Sequence, residues 1–443
     1  MTRGSPAWLL LIGGMSASAC TAGSVPFECS SDDQCVRGEE VGRCELTGYC
    51  SFADEECDSG WRYAELARGE LAEQCVVQCV LGLSLGAEHS CAVLATGEVR
   101  CWGHGADGRL GDGIDGAATP NPVSVGGSLP PMGSVTAGGG HTCALADDDG
   151  TVWCWGDDEA LQLGRQGVGP EPVQVTALEG FGVPVTQITA GGGHTCARSS
   201  VGSGCWGANH EGQLGTGTVG AAAEPTPVPF ESGFIELAAG DLHTCGRTMA
   251  GTVHCWGDNS ALQVGAPDSV DPVLAPERVQ TPARAASMEL GLLHGCMVTS
   301  NETVECWGNN LLAGQLGRPQ TLGGSRTPVP ISLPAPVVQV SVGLTHSCAL
   351  DTEGRAWCWG GNEFGQHGPN QSESPFEPTP AVVELPGGIA EIAAGGLHTC
   401  ARTERDAVYC WGANEFGQLG NGETDADGTG SPDSTVTEAL RCD

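Results

Sequence analysis

Gly343-Leu344-Thr345-His346-Ser347-Cys348-Ala349-Leu350, a short turn, and then Ala356-Trp357-Cys358-Trp359-Gly360-Gly361-Asn362-Glu363-Phe364-Gly365-Gln366 form one copy of a stretch that recurs seven times. Its histidine recurs as His89, His141, His194, His243, His294, His346 and His398, and its Cys-Trp-Gly triplet begins at Cys101, Cys154, Cys205, Cys255, Cys306, Cys358 and Cys410. A fixed period of about fifty residues marks a repeat architecture. Within each copy, short apolar runs are broken by Gly, Pro and Asn, without helical periodicity, which is a β pattern. Four strands are expected per copy. In the sixth they are Val337–Val342, Ser347–Leu350, Arg355–Trp359 and a weak outer strand near Val382–Leu385 or Pro330–Leu333. Four strands in about fifty residues suit one blade of a propeller. The expected fold is therefore all-β: a seven-bladed β-propeller of four-stranded blades.

The cysteines fit a hairpin. The two of each copy are about ten residues apart and flank turn-forming residues such as Thr96-Gly97, Ala250-Gly251 and Glu353-Gly354. Residues equidistant from a hairpin turn face each other across the ladder, within disulfide reach. Seven bridges are expected: Cys91 with Cys101, Cys143 with Cys154, Cys196 with Cys205, Cys245 with Cys255, Cys296 with Cys306, Cys348 with Cys358, and Cys400 with Cys410. The triplet tryptophans Trp102, Trp155, Trp206, Trp256, Trp307, Trp359 and Trp411 read as wedges between neighbouring blades.

These residues carry a resemblance. Gly-x-x-His-(Thr/Ser)-x-Ala-Leu, followed by Trp-Gly-x-Asn-x-x-Gly-Gln-Leu-Gly, resembles the repeat of the regulator of chromosome condensation family over residues 81–443. The resemblance implies a seven-bladed propeller. It also raises the founding family's activity, guanine-nucleotide exchange on a GTPase, although none of the residues for that activity lies in the repeat motif. The paired cysteines are a departure from the family motif, as is Leu262-Gln263-Val264-Gly265 in the fourth copy.

Residues 1–19 read as a signal peptide: Arg3, an apolar core over Ala7–Met15, and the small residues Ala17-Ser18-Ala19 before Cys20. The core is too short to span a bilayer. Cys20 at the cleavage point suggests a bacterial lipoprotein with Cys20 lipidated, whereas Ala-Ser-Ala also suits ordinary secretion. Of 23 cysteines, setting Cys20 aside leaves an even number for pairing. Residues 20–80 then form the anchor region and a small disulfide-rich module with Cys29, Cys35, Cys44, Cys50, Cys57, Cys75 and Cys79. Zinc is the alternative, but the stretch lacks histidine and paired Cys-x2-Cys spacing. The C-terminal segment Thr435–Leu440 is expected to pair into the first blade and close the ring, locked by a bridge from Cys442 to Cys79 or Cys75.

Arginine carries every positive charge, the net charge is −36 and lysine is absent. That balance excludes nucleic acid, which demands a basic surface. Membrane contact is expected only through a lipid on Cys20, the location is exported or at the cell envelope, and the chain is expected to be a monomer. A residue at the same slot in seven blades serves the blade. The histidines therefore read as structural, each imidazole bonding backbone at a turn, rather than as a metal ring. Trp153 and Trp357, which extend two triplets, read as packing. Asp107, Asp112 and Asp115 crowd one loop, and Asp425 and Asp427 another, without the twelve-residue calcium pattern. No catalytic residue, cofactor or metal site stands out. The functional expectation is a scaffold that binds a protein or another macromolecule through rim loops, not an enzyme. The alternative is a lyase or hydrolase with its site in the central funnel.

Overall fold

The computed structural model describes residues 36–37, 40–41, 43–44, 50–53, 61–63, 80–116, 118–164, 170–176, 178, 184–265, 271–368, 374–425 and 437–440. The chain divides into two compact units, Met1–Val77 and Gln78–Asp443. In the first, Val36–Arg37 pairs with Glu40–Val41, and Arg43–Cys44, Cys50–Ala53 and Trp61–Tyr63 form a three-stranded antiparallel sheet. Cys20, the signal segment, Cys79 and Cys442 lie outside the described residues.

The second unit is seven four-stranded antiparallel sheets, each contiguous in sequence. Their first strands are Val80–Leu85, Met132–Ala137, Val185–Ala190, Glu236–Ala239, Ala285–Leu290, Val337–Val342 and Ile389–Ala394. Each second strand begins at the repeat histidine, and each third strand carries the Cys-Trp-Gly triplet. The two cysteines of every blade are register partners and form a disulfide, from Cys91–Cys101 in blade one to Cys400–Cys410 in blade seven. These strands are apolar on both faces because a sheet lies against each of them.

The outer strand of blade six is Phe376–Val383, longer than a reading at Val382–Leu385, and Ser325–Ile331 belongs to blade five. Proline runs lie in the outer strands: Thr119–Ser124 holds Pro120 and Pro122, and Gly220–Pro227 holds Pro225 and Pro227. An edge strand leaves N–H groups unpaired, so proline costs little there.

Ring closure differs from the sequence expectation. Thr437–Leu440 is the fourth strand of blade seven, paired with Val408–Cys410, and blade one is complete within Val80–Ser124. The repeat starts on an inner strand and ends on an outer one, so no blade is shared between the termini. Complete sheets close the ring by packing side by side. Across that seam Ser90 bonds His398, Leu83 N–H donates to Glu391, and Gly396 N–H donates to Gly86 O.

Each hydrophobic cluster spans one such seam. Cys296, Val298, Val304, Cys306 and Leu316 of blade five pack against Val337, Val340, Ala349 and Trp359 of blade six. The disulfide of one blade thus meets the tryptophan of the next. All seven triplet tryptophans are fully buried, and truncating one is worth about 3–5 kcal/mol. The seam also needs a left-handed residue in the loop after the triplet. Gly108, Gly212, Gly314, Gly365 and Gly417 fill that slot, while Leu161 (φ 61°) and Leu262 (φ 70°) take it at a steric cost.

Candidate functional site

The seven histidines have no free surface. Their partners correct the turn-backbone expectation: in six of the seven, Nε2 reaches a hydroxyl on the next blade. His89 meets Thr142, His141 meets Thr195, His194 meets Thr244, His294 meets Ser347, His346 meets Thr399 and His398 meets Ser90, at 2.8–2.9 Å. Each hydroxyl donates its one proton to a loop carbonyl, as Thr399 does to Gln366 O at 2.8 Å. The triplet tryptophan donates to the same carbonyl: Trp411 Nε1 lies 3.0 Å from Gln366 O. The hydroxyl must therefore accept from the ring, which fixes a neutral Nε2–H imidazole. Burial drives the same outcome, holding His141, His194, His294 and His398 down to about 3.

One relay is missing. His243 faces Gly295, where other blades carry Ser or Thr, and neither ring nitrogen has a partner. A Cβ at Gly295 would lie 2.6 Å from Leu290 Cδ2 and 2.8 Å from Trp307, so apolar bulk has replaced the hydroxyl. We expect His346→Leu to cost about 2–3 kcal/mol and His243→Leu less than about 1 kcal/mol, because only the first breaks a bond. Urea unfolding of both variants at neutral pH measures this. Equal costs would mean that His243 has a partner such as a buried water.

The repeat residues are thus used up in the seams, and what differs between blades gathers at one end of the propeller. That end carries the turns before the second strands and the loops after the triplets. Its centre is a funnel mouth on the axis, open to solvent and lined by residues such as Ala87, Gly139, Gly192, Asp241, Leu292, Leu344 and Gly396. A girdle of main-chain bonds holds it: Ala87 N–H to Gly138 O, Gly139 to Gly191, Gly192 to Gly240, Asp241 to Gly291, Leu344 to Gly396 and Gly396 to Gly86.

Blade one departs most from the repeat. His104 Nδ1 lies 2.7 Å from Glu88 Oε2, and its ring stacks on Phe416 of blade seven at 4.1 Å. Arg109, in the slot that holds glutamine in the other blades, is buried; it pairs with Asp107 at 3.0 Å and donates to Gly139 O. Among the described residues lining the mouth, Asp241 is the one with a charged side chain. Its carboxyl is raised by burial and by Asp258. Glu289, on the first strand of blade five, keeps exposed surface while protein crowds round its carboxyl. That crowding, and then Glu236, push Glu289 up to about 8. Glu236 and Glu391 are neutralised by Arg247 and Arg402.

Sequence reasoning passed over Glu88, His104, Arg109, Asp241 and Glu289. The signal was present as departures of single copies from the repeat at slots next to the motif. Asp107, Asp112 and Asp115 serve their own loop: Asp107 N–H donates to Asp115 and Ile114 N–H to Asp112. Among the described residues no group of His, Cys, Asp and Glu is arranged to hold a metal ion. Trp153 and Trp357 are half-buried; Trp153 packs against the cluster between blades one and two, and Trp357 donates to Asp351.

Comparison with known proteins places this architecture. An RCC1-like domain matches residues 162–441, and regulator of chromosome condensation (RCC1) repeats match residues 80–109 and 134–162. The chain is 32% identical over 357 residues to the ultraviolet-B receptor UVR8 of Arabidopsis thaliana, covering 78% of this chain and 79% of that protein. It is 30% identical over 345 residues to the E3 ubiquitin-protein ligase HERC2 of Homo sapiens, covering 75% of this chain but 7% of that much longer protein. Among solved structures, Prp20p of Saccharomyces cerevisiae, described with its binding to Gsp1p and histones, superposes with a TM-score of 0.68 at 22% identity, over 83% of this chain and 87% of that one. Human WBSCR16 superposes with a TM-score of 0.66 at 20% identity, over 75% and 91%.

Proposed function

Starting from a chain that belongs to the RCC1-like domain family, we propose that its propeller is a protein-binding scaffold, exported and held at the cell envelope by a lipid on Cys20. The carrying observation is a division of labour. Residues common to the seven blades are buried in seams, and residues that differ sit on the loops around the funnel mouth. Loops on a rigid frame are where recognition is placed. Seven buried disulfides suit an oxidising compartment.

Catalysis in the funnel is the second reading, and the Glu88–His104 pair favours it, since a carboxylate orients a histidine in many proton-transfer sites. Against it, neither His104 nitrogen bonds a hydroxyl or thiol among the described residues, and Arg109 is already committed to Asp107 and Glu88. Nucleotide exchange draws no support from a named residue.

The test is affinity capture from the envelope of the source organism, using the chain with Cys20→Ser and without its lipid. A small set of proteins should be retained, then lost when loop 309–324 or loop 104–116 is replaced by Gly-Ser. Background alone from capture, together with turnover of a saccharide or small molecule by the purified chain, would reverse the order of the two readings.

A further inference from the structure

We infer that the mouth face docks a cationic protein surface, with a guanidinium or ammonium side chain of the partner seated on Asp241. This rests on the scaffold reading and specifies its partner. Asp241 lies across the mouth rim, its side chain over Gly192: Oδ1 is 2.0 Å from where a Cβ of residue 192 would be, so a side chain there would displace the carboxylate. No cation among the described residues pairs with it, although burial already strips part of its hydration. A carboxylate held this way gains most from a positive group that arrives with its partner.

The rest of the face points the same way. Among its described loop residues the only arginines are Arg109 and Arg318. Arg109 is neutralised by Asp107 and Glu88. The other paired arginines, Arg100, Arg247, Arg355 and Arg402, lie on the second and third strands or on the turns at the opposite end. They cancel acids at that end, whereas on the mouth face Asp241 has no paired cation and Arg318 no paired acid among the described residues. Field lines from the Asp241 carboxylate, focused by the low-dielectric walls of the mouth, attract cations.

A second, independent observation favours a protein over a small cation. Leu311 (67% exposed), Leu312 (50%) and Leu322 (61%) stand on the blade-five loop of this face. Asn310 pins the two halves of that loop together by donating to Arg318 O and Pro319 O. Exposed leucines on a pinned loop mark a contact surface, and an unpaired carboxylate on the same face as exposed leucines fits a basic protein surface with apolar anchors.

The probe is a twelve-residue peptide alternating arginine and leucine, with an all-glutamate peptide and spermine as comparisons, titrated by calorimetry against the full chain. The arginine–leucine peptide should bind and weaken steeply with salt. Asp241→Asn should reduce its affinity about 10- to 100-fold, and Leu311→Ser with Leu312→Ser about tenfold. Asp148→Asn with Asp149→Asn, on the opposite end, should change it less than about twofold. An unchanged thermal midpoint for Asp241→Asn confirms that the variant folds. Equal losses from the two ends would reveal non-specific polyelectrolyte attraction and overturn the inference. So would spermine binding that needs Asp241 while the leucine variant has no effect. If envelope capture succeeds equally with Asp241→Asn, the scaffold reading stands and this inference falls.

Discussion

Acidification from pH 7 to about pH 4.5 should unfold the propeller cooperatively. The seven seam histidines are buried and neutral. Six donate through Nε2 to a neighbouring hydroxyl, and Nδ1 is unpartnered in all seven. His367, in a leucine slot, is also buried and held down to about 4. The sign follows from linkage. The folded values lie below the unfolded value near 6.5, so the unfolded chain takes up protons first and the stabilisation is complete only above about pH 6.5. Each histidine then withdraws about 1.4 kcal/mol per pH unit as pH falls towards 4. Eight together remove about 10 kcal/mol per unit, against a typical net stability of about 5–15 kcal/mol. Protonating carboxylates relieves the −36 charge, but most of them titrate near pH 4, after the histidines have acted. Tryptophan fluorescence against pH reads the transition, and proton uptake counts the groups. A chain still folded at pH 4 would mean that the native histidines accept protons in place.

The second large effect is loss of the disulfides. Each closes a hairpin of about ten residues, worth about 2.5–3 kcal/mol on the chain-entropy model. Seven sum to about 18–21 kcal/mol, more than a domain usually has in hand. Replacing all fourteen cysteines with alanine should therefore leave an unfolded chain. Replacing Cys348 and Cys358 alone should lower stability by about 3–4 kcal/mol, the excess being the packing lost beside Ile389 and Trp411. The bridged sulfurs have no exposure, so reductant should act at the rate of unfolding rather than on the native ring. Denaturant midpoints with and without reductant measure both effects. A fully reduced chain that refolds with an unchanged midpoint would show that the seams alone suffice.

The fold was legible because a repeat writes its instructions seven times. Hairpin turns set the register, and the register placed Cys348 opposite Cys358. The strand limits of blade six followed from alternating apolar runs, except the outer strand, whose proline-rich edge carries no such alternation. The site was less legible. Glu88 and His104 flank one hairpin of blade one, but Phe416 reaches His104 only because blade seven lies beside blade one. Asp241 looks like an ordinary turn residue until its neighbour on the ring, Gly192, is known.

The sequence by itself determined the number of blades, the hairpin inside each and the acidic character of the whole, because these depend on local periodicity, turn chemistry and composition. Only the tertiary structure decided that the histidines bond the next blade rather than their own turn, that the last strand completes blade seven, and that Asp241 stands at the mouth. The physical reason is the same in each case. These features belong to seams and faces between blades, where the partners are about fifty residues or a whole ring apart, and no rule about neighbouring residues reaches that far.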